Sequence, residues 1–175
     1  MSVVFSGGRV IDPASGTDRV TDVVIKHGVV VGVGDGLAGT VVVDCAGLVV
    51  APGFIDLHTH LREPGREGDE TIETGCRAAA LGGFTAVCAM PNTEPCTDSA
   101  SVVTMVAARG REVGLADVFP IGAVTLGRAG ERLAPMAEMA AAGCRIFSDD
   151  GDPVATAELM RRALEYASIF DAVIC

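Results

Sequence analysis

The chain has 175 residues, enough to bury one hydrophobic core with a small second unit beside it. It carries 23 acidic and 13 basic residues, a formal net charge of -10, and its scattered basic residues argue against a nucleic-acid partner. Every apolar run is cut by Gly, Pro or charge well short of the roughly 20 residues that span a bilayer. No secretory leader is recognisable, so we expect a cytoplasmic protein without a membrane partner.

The cysteines lie far apart, mostly within apolar stretches, and no pair has the CxxC spacing. This spacing predicts reduced, buried thiols, with neither disulfides nor a thiolate zinc site. The six are Cys45, Cys76, Cys88, Cys96, Cys144 and Cys175.

Residues 1–50 are rich in short valine runs separated by Gly, Asp and Pro, a pattern typical of a β-meander. Strands are predicted at 3–5, 23–26, 29–33 and 41–43. Between the second and third, Lys26-His27-Gly28 predicts a hairpin turn, in which glycine supplies a positive φ. We therefore interpret His27 as a solvated turn residue and not as a ligand.

From residue 51 onwards, strand-like and helix-like segments alternate, which predicts parallel βαβ units with right-handed crossovers. Strands are predicted at 54–58, 85–90, 116–124, 145–148 and 172–175. Helices are predicted at 71–81, 99–109 and 133–142, with a last helix starting near Asp152 and Pro153.

Such a series could form an open doubly wound sheet or part of a barrel. A doubly wound nucleotide-binding domain places a glycine-rich loop after its first strand, whereas this strand ends in HTHLREPG. A closed (β/α)8 barrel normally needs about 250 residues and carries its functional groups at the carboxyl ends of its strands. The barrel reading fits better, and 51–175 would supply about four and a half of its units.

Polar groups of complementary type follow three of these strands. The first ends at His58, His60 and Arg62, the second at Asn92 and the fourth at Asp150. His58 and His60 point to the same side because strand residues alternate faces. Two imidazoles and a carboxylate suit zinc or a similar divalent ion, so the histidines form half of a predicted metal site.

The chain resembles the amidohydrolase superfamily, and within it the dihydroorotase family. APGFIDLHTHLREPG and GGFTAVCAMPNTEP are similar to that family's first- and second-strand signatures, and GAVTLGRAGERL followed by FSDDG is similar to its third and fourth. The resemblance implies an α/β, TIM-like (β/α)8 metallo-hydrolase barrel. Residues 1–50 would be the β-rich N-terminal part of a small side domain, and 51–175 the first half of the barrel.

The same resemblance implies roles for individual residues. His58 and His60 would bind Zn²⁺, Asp150 would be shared by two zinc ions, and Arg62 and Asn92 would hold a substrate carboxylate. The related hydantoinases and allantoinases use a carboxylated lysine at the bridging position. The only lysine here is Lys26, which precedes the barrel segment, so an aspartate of the FSDDG motif must serve instead. The match immediately before the glycine favours Asp150 over Asp149.

The implied activity is the interconversion of N-carbamoyl-L-aspartate and L-dihydroorotate, a step of pyrimidine synthesis. Two further histidine ligands and an acid–base aspartate would be expected beyond Cys175, so we expect the 175-residue chain to be inactive alone. Its partners would be the small-molecule substrates, with a homo-oligomer or an aspartate carbamoyltransferase complex left open. The alternatives are a non-catalytic dihydroorotase-like scaffold or fragment, and a related cyclic amidohydrolase of the hydantoinase or allantoinase type.

Several of these residues also have plain structural interpretations. Arg62 could form a surface ion pair with Glu63 or Glu67, and Asn92, following a proline, could simply form a turn. Asp149 or Asp152 could cap the following helix, and for Asp152 capping is the preferred interpretation. The remaining charged side chains of the third-strand loop, Arg128 and Arg132, are expected to be solvated, with a lid role left open.

Overall fold

A computed structural model describes residues 1–175, and the chain divides into two units, Met1–Pro52 and Gly53–Cys175. The first unit is a five-stranded sheet. Its strands are β1 (Ser2–Asp12), β2 (Thr17–Lys26), β3 (Val29–Gly34), β4 (Val41–Asp44) and β5 (Val49–Val50).

The predicted meander is correct only for the first three strands, which pair antiparallel in succession. β4 and β5 instead both run parallel to β1, along its other edge. The predicted hairpin turn is confirmed, with His27 at φ 53° and Gly28 at φ 76°. Two consecutive left-handed residues are typical of a tight type I′ turn. The His27 side chain is exposed, as expected.

The second unit alternates strands and helices as predicted. Its strands are β6 (Phe54–Thr59), β7 (Phe84–Ala89), β8 (Asp117–Pro120), β9 (Ile146–Phe147) and β10 (Val173–Ile174). Its helices are α1 (Ile72–Leu81), α2 (Ala100–Val113), α3 (Met136–Ala141) and α4 (Ala157–Ser168), with one 3₁₀ turn at Leu126–Arg128.

All pairings between strands of the second unit are parallel. β6, β7 and β8 form one sheet, β9 and β10 form another, and a parallel bridge between Gly122 and Phe147 joins the two. The strand ends therefore follow one another along a common edge, which brings together side chains that are distant in sequence.

Buried apolar side chains on the helices pack against one face of these strands. Ile72 and Cys76 of α1 meet Val87 of β7 in one cluster, and Met139 of α3 meets Phe147 of β9 in another. Because strand residues alternate faces, the opposite face carries a separate cluster, which includes Cys88, Met90 and Ile121. β7, β8 and β9 are thus held on both sides by packed core, whereas the apolar side chains of β6 are exposed.

Three predicted helix bounds need correction. α2 continues through Gly110 to Val113 and ends at Gly114, whose φ is 64°. α3 begins only after Pro135 and is 6 residues long. α4 begins after Thr156, whose side chain accepts a hydrogen bond from the Leu159 amide, so the prediction that Asp152 caps this helix is wrong.

All six cysteines are free, and Cys45, Cys76, Cys88 and Cys144 are buried, which agrees with the prediction of reduced thiols. Cys96 is half-buried and Cys175 is exposed. No helix is both long enough and apolar enough to cross a membrane.

Candidate metal centre

The first strand of the second unit delivers the two predicted imidazoles to one place. His58 lies in β6, and His60 follows its last residue. Their ring centroids are 5.2 Å apart, in an edge-to-face arrangement. The backbone between them is anchored, because the Thr59 hydroxyl donates to the Cys88 carbonyl at 2.9 Å. The predicted common orientation of the two histidines is therefore present.

Asp150 reaches both imidazoles from the turn after β9. Its Oδ1 lies 3.1 Å from His58 Nε2 and its Oδ2 lies 3.7 Å from His60 Nδ1. The Asp150 side chain is 13% exposed, against 54% for His58 and 33% for His60. The carboxylate thus closes the inner side of the group, while the histidines face outwards.

Asn92, at the end of β7, connects two members of this group. Its Oδ1 lies 3.0 Å from His60 Nδ1, and its Nδ2 donates to Asp150 Oδ2 at 2.9 Å. These two hydrogen bonds give Asn92 a role beyond turn formation, because its side-chain amide fixes the His60 imidazole and the Asp150 carboxylate relative to one another. Its predicted contact with a substrate carboxylate remains a prediction.

Asp149, the other candidate of the FSDDG motif, points into the protein and is only 4% exposed. Its carboxylate accepts hydrogen bonds from the Val124 and Thr125 amides at 2.8 and 3.0 Å and from the Thr125 hydroxyl at 2.5 Å. These hydrogen-bond donors belong to the loop after β8, so the Asp149 carboxylate has a structural role. It neither caps α4 nor joins the histidines, which leaves Asp150 as the carboxylate of the site.

Arg62 lies in the loop after β6 with a left-handed φ of 59°. It forms an ion pair with neither Glu63 nor Glu67. Glu63 instead accepts from the Ile72 amide at 2.8 Å and lies 3.3 Å from Arg109. Arg62 borders a narrow crevice with Met90 and Thr93 that has no room for a water molecule. Its guanidinium has no carboxylate partner among Glu63 and Glu67, so the alternative interpretation as a surface ion pair with either is not found.

The donor atoms fit a divalent metal ion. One ligand atom from each of His58, His60 and Asp150 lies within 4.8 Å of the others, and tetrahedral zinc with bonds of about 2 Å needs ligand atoms about 3.3 Å apart. The shortest separation, 3.1 Å between imidazole and carboxylate, is already close to that value. Nitrogen and oxygen donors are also those that zinc accepts. The group could therefore hold such an ion with small side-chain movements.

Comparison with known proteins identifies the family. A family model described as dihydro-orotase-like matches residues 47–175. The chain belongs to the dihydroorotase-like family. A dihydroorotase from Pelobacter propionicus is 54% identical to the dihydroorotase-like chain over 170 residues, which are 95% of the chain and 40% of the relative. One from Solibacter usitatus is 54% identical over 173 residues, 98% of the chain and 40% of the relative.

The dihydroorotase-like chain therefore spans about 40% of the length of the curated relatives it matches. Among solved structures, L-hydantoinase (dihydropyrimidinase) from Arthrobacter aurescens matches with a TM-score of 0.80 at 18% identity. The alignment covers 98% of this chain and 39% of that one. This likeness shows the α/β fold, which is the coarser part of the fold class predicted from the sequence.

Sequence reasoning missed two features of the site. The hydrogen bonds of Asn92 to His60 and Asp150 could not be read from an isolated MPNT motif. Arg128, predicted to be solvated, is only 19% exposed and forms an ion pair with Asp152 at 2.5 Å. The sequence feature that could have indicated a role for Arg128 is its position in a glycine-flanked loop after the third strand, at the same edge as the other polar groups.

Proposed function

We propose that the protein carrying this chain is a dihydroorotase, a metal-dependent hydrolase that interconverts N-carbamoyl-L-aspartate and L-dihydroorotate in pyrimidine synthesis. One observation carries the proposal: His58 and His60, at the end of β6, and Asp150, after β9, converge in a chain of the dihydroorotase-like family. These residues come from segments 90 positions apart in the sequence, so their meeting depends on the fold and not on local spacing.

In this proposal His58 and His60 would hold Zn²⁺ through their imidazole nitrogens, and Asp150 would be the carboxylate shared between two ions. A divalent ion there would supply Lewis acidity toward an amide carbonyl and lower the pKa of water. Asn92 keeps the His60 ring and the Asp150 carboxylate in their relative orientation through its two hydrogen bonds. The Asp150 carboxylate also favours the aspartate-bridged branch of the superfamily over the hydantoinase and allantoinase type, because the only lysine is the last residue of β2.

Arg62 and Asn92 are proposed to bind the carboxylate of the substrate. A guanidinium binds a carboxylate in a bidentate manner, and Arg62 has no internal acid that would compete for it. An anionic cyclic amide therefore suits this side of the site better than a neutral one.

The parallel strands of Gly53–Cys175 support the proposal that this unit is the first half of a TIM-like barrel, and the β-rich Met1–Pro52 the N-terminal part of a side domain. Six free cysteines are consistent with the proposed cytoplasmic location, where thiols stay reduced. Association with further copies, or with aspartate carbamoyltransferase, remains a prediction.

Metal content tests the proposal. The purified chain, after exposure to Zn²⁺ and removal of excess ion, should retain zinc by elemental analysis, and the double variant His58→Ala, His60→Ala should lose it. His27→Ala is the matched control, because it removes the third histidine of the chain from an exposed hairpin turn. Equal zinc in the double variant and the unaltered chain would refute the assigned site. Absence of zinc in all of them would favour a non-catalytic scaffold, which has no physical need of these ligands.

Substrate recognition is tested by calorimetry with L-dihydroorotate on the zinc-loaded chain. Arg62→Ala should weaken binding about tenfold or more, since it removes a charge-assisted hydrogen-bonded pair. Arg66→Ala is the matched control, because Arg66 lies in the same loop but pairs with Asp69 at 2.5 Å. Equal affinities for the two variants would contradict the role of Arg62.

A further inference from the structure

The turn that presents Asp150 is anchored before Asp150 by the buried Asp149 carboxylate, but it has few local anchors after it. Asp150 lies between Asp149 and Gly151, whose φ is 85°. Its amide donates to the Ser148 hydroxyl at 3.2 Å, and the Asp152 amide donates to the Asp149 carbonyl at a long 3.3 Å. Such weak local hydrogen bonds leave the direction of the carboxylate to contacts from outside the turn, of which the Asn92 hydrogen bond at 2.9 Å is one.

Arg128 holds this turn from both sides of Asp150. Its Nε donates to the Asp149 carbonyl at 2.9 Å, and its Nη2 lies 2.5 Å from Asp152 Oδ2. The guanidinium side chain is 19% exposed and Asp152 is 52% exposed. A planar fork with fixed donors is suited to two such contacts in different directions, which a single ammonium group cannot reproduce.

Arg128 is itself held in a conformation that non-glycine residues disfavour, with φ of 59°. Two further hydrogen bonds define the loop that carries it. The Gly127 amide donates to Asp98 at 2.8 Å, and the Gly130 amide donates to the Thr125 hydroxyl at 2.9 Å. The left-handed backbone therefore persists because the surrounding contacts determine it, and it aims the guanidinium at the turn.

We infer that Arg128 is a positioning residue for the metal centre: it holds the Asp149–Asp152 turn so that the Asp150 carboxylate faces His58 and His60 before any ion binds. The inference rests on the proposed metal site and deepens it. Groups that orient a ligand in this way commonly change metal affinity by about 10- to 100-fold when removed. Arg128 touches neither imidazole, so its effect is carried through the Asp150 turn.

The test compares Arg128→Ala with Arg132→Ala in the 175-residue chain. Arg132 is the matched control because it is an exposed arginine four positions along the same loop, outside every ion pair of the chain. Zinc affinity is measured by competition with a chromophoric chelator, and Co²⁺ is added separately to record its visible spectrum. We expect Arg128→Ala to weaken zinc binding about tenfold or more and to alter the Co²⁺ spectrum, and Arg132→Ala to change neither.

Amide hydrogen exchange on the metal-free chain provides a second readout, which should show faster exchange at residues 150–152 only in Arg128→Ala. If that variant fails to fold, Arg128→Lys replaces it and should give a smaller loss of affinity, since the ammonium can still pair with Asp152. Unchanged affinity, spectrum and exchange in the Arg128 variant overturn the inference, while zinc binding by the unaltered chain leaves the metal site standing. No zinc binding in the unaltered chain overturns both.

Discussion

Replacement of Asp149 by alanine should mainly reduce stability, whereas replacement of the neighbouring Asp150 should mainly abolish zinc binding. Asp149→Ala removes the acceptor of three hydrogen bonds and leaves two amides and one hydroxyl without partners at a site that is 4% exposed. A hydrogen bond to a charged group contributes about 1.5–3 kcal/mol, and an unsatisfied buried donor costs about 1–3 kcal/mol. Because the three bonds share one carboxylate and do not add fully, we expect a net loss of about 3–5 kcal/mol.

That loss is a large part of the roughly 5–15 kcal/mol by which a domain is stable. With a urea dependence of about 2 kcal/mol/M, the unfolding midpoint should fall by about 2 M, measured by circular dichroism. Asp150→Ala is the control on the adjacent residue. It removes one hydrogen bond, from Asn92, and the approaches to His58 and His60, so it should cost about 1.5–3 kcal/mol, less than Asp149→Ala, while abolishing zinc binding. Equal midpoints for the two variants would refute the division of roles between the two acids.

Two further predictions concern packing and thiol reactivity. Gly110→Ala would place a Cβ 2.5 Å from Val118 Cβ, so α2 must shift and the free energy of unfolding should fall by about 1–3 kcal/mol. The control Gly68→Ala, with open space around it, should leave the thermal midpoint unchanged. Equal midpoints for the two variants would contradict the close packing. Burial raises the pKa of Cys96 to about 11, which leaves about one thiolate in a thousand at pH 8. Peptide mass spectrometry after iodoacetamide treatment should find exposed Cys175 alkylated first. The alkylation of Cys96 should become faster as the pH rises towards 11. Equal alkylation rates of Cys96 and Cys175 at pH 8 would count against the buried setting of Cys96.

The order of strands and helices was predictable because it depends on apolar runs and turn residues, but helix ends were not. Gly110 looks like a helix terminator in the sequence. In the structure it lies inside α2, because Val118 leaves no room for a side chain there. The true terminator is Gly114, which takes the left-handed conformation that glycine adopts without cost. The sequence does not distinguish a glycine that close packing requires from one that a chain reversal requires. Only the tertiary contacts do.

The predicted start of α4 was wrong for a similar reason. Asp152 followed by Pro153 has the form of a helix N-terminus, yet Arg128 takes the Asp152 carboxylate and Thr156 caps the helix. An ion pair between residues 24 positions apart leaves no local trace. In contrast, the common side of His58 and His60 follows from strand alternation alone, so this part of the site was predictable.

Near the ends of β6 and β9, an acid next to or near a candidate functional residue holds the backbone that presents it. Asp56 accepts from the His58 amide at 3.1 Å, Glu63 binds the start of α1 beside Arg62, and Asp149 binds the third-strand end beside Asp150.

For the neighbouring pairs Arg62–Glu63 and Asp149–Asp150, this division follows from the geometry of a strand that runs into a loop, where adjacent side chains diverge. One of them can satisfy buried amides while the next faces the site. Glu63 and Asp149 are engaged by internal donors, so they do not compete for an ion or a substrate. Arg62, His58 and Asp150 are thereby held in place while their charged or ligating atoms stay available, which is the arrangement that a preorganised binding site requires.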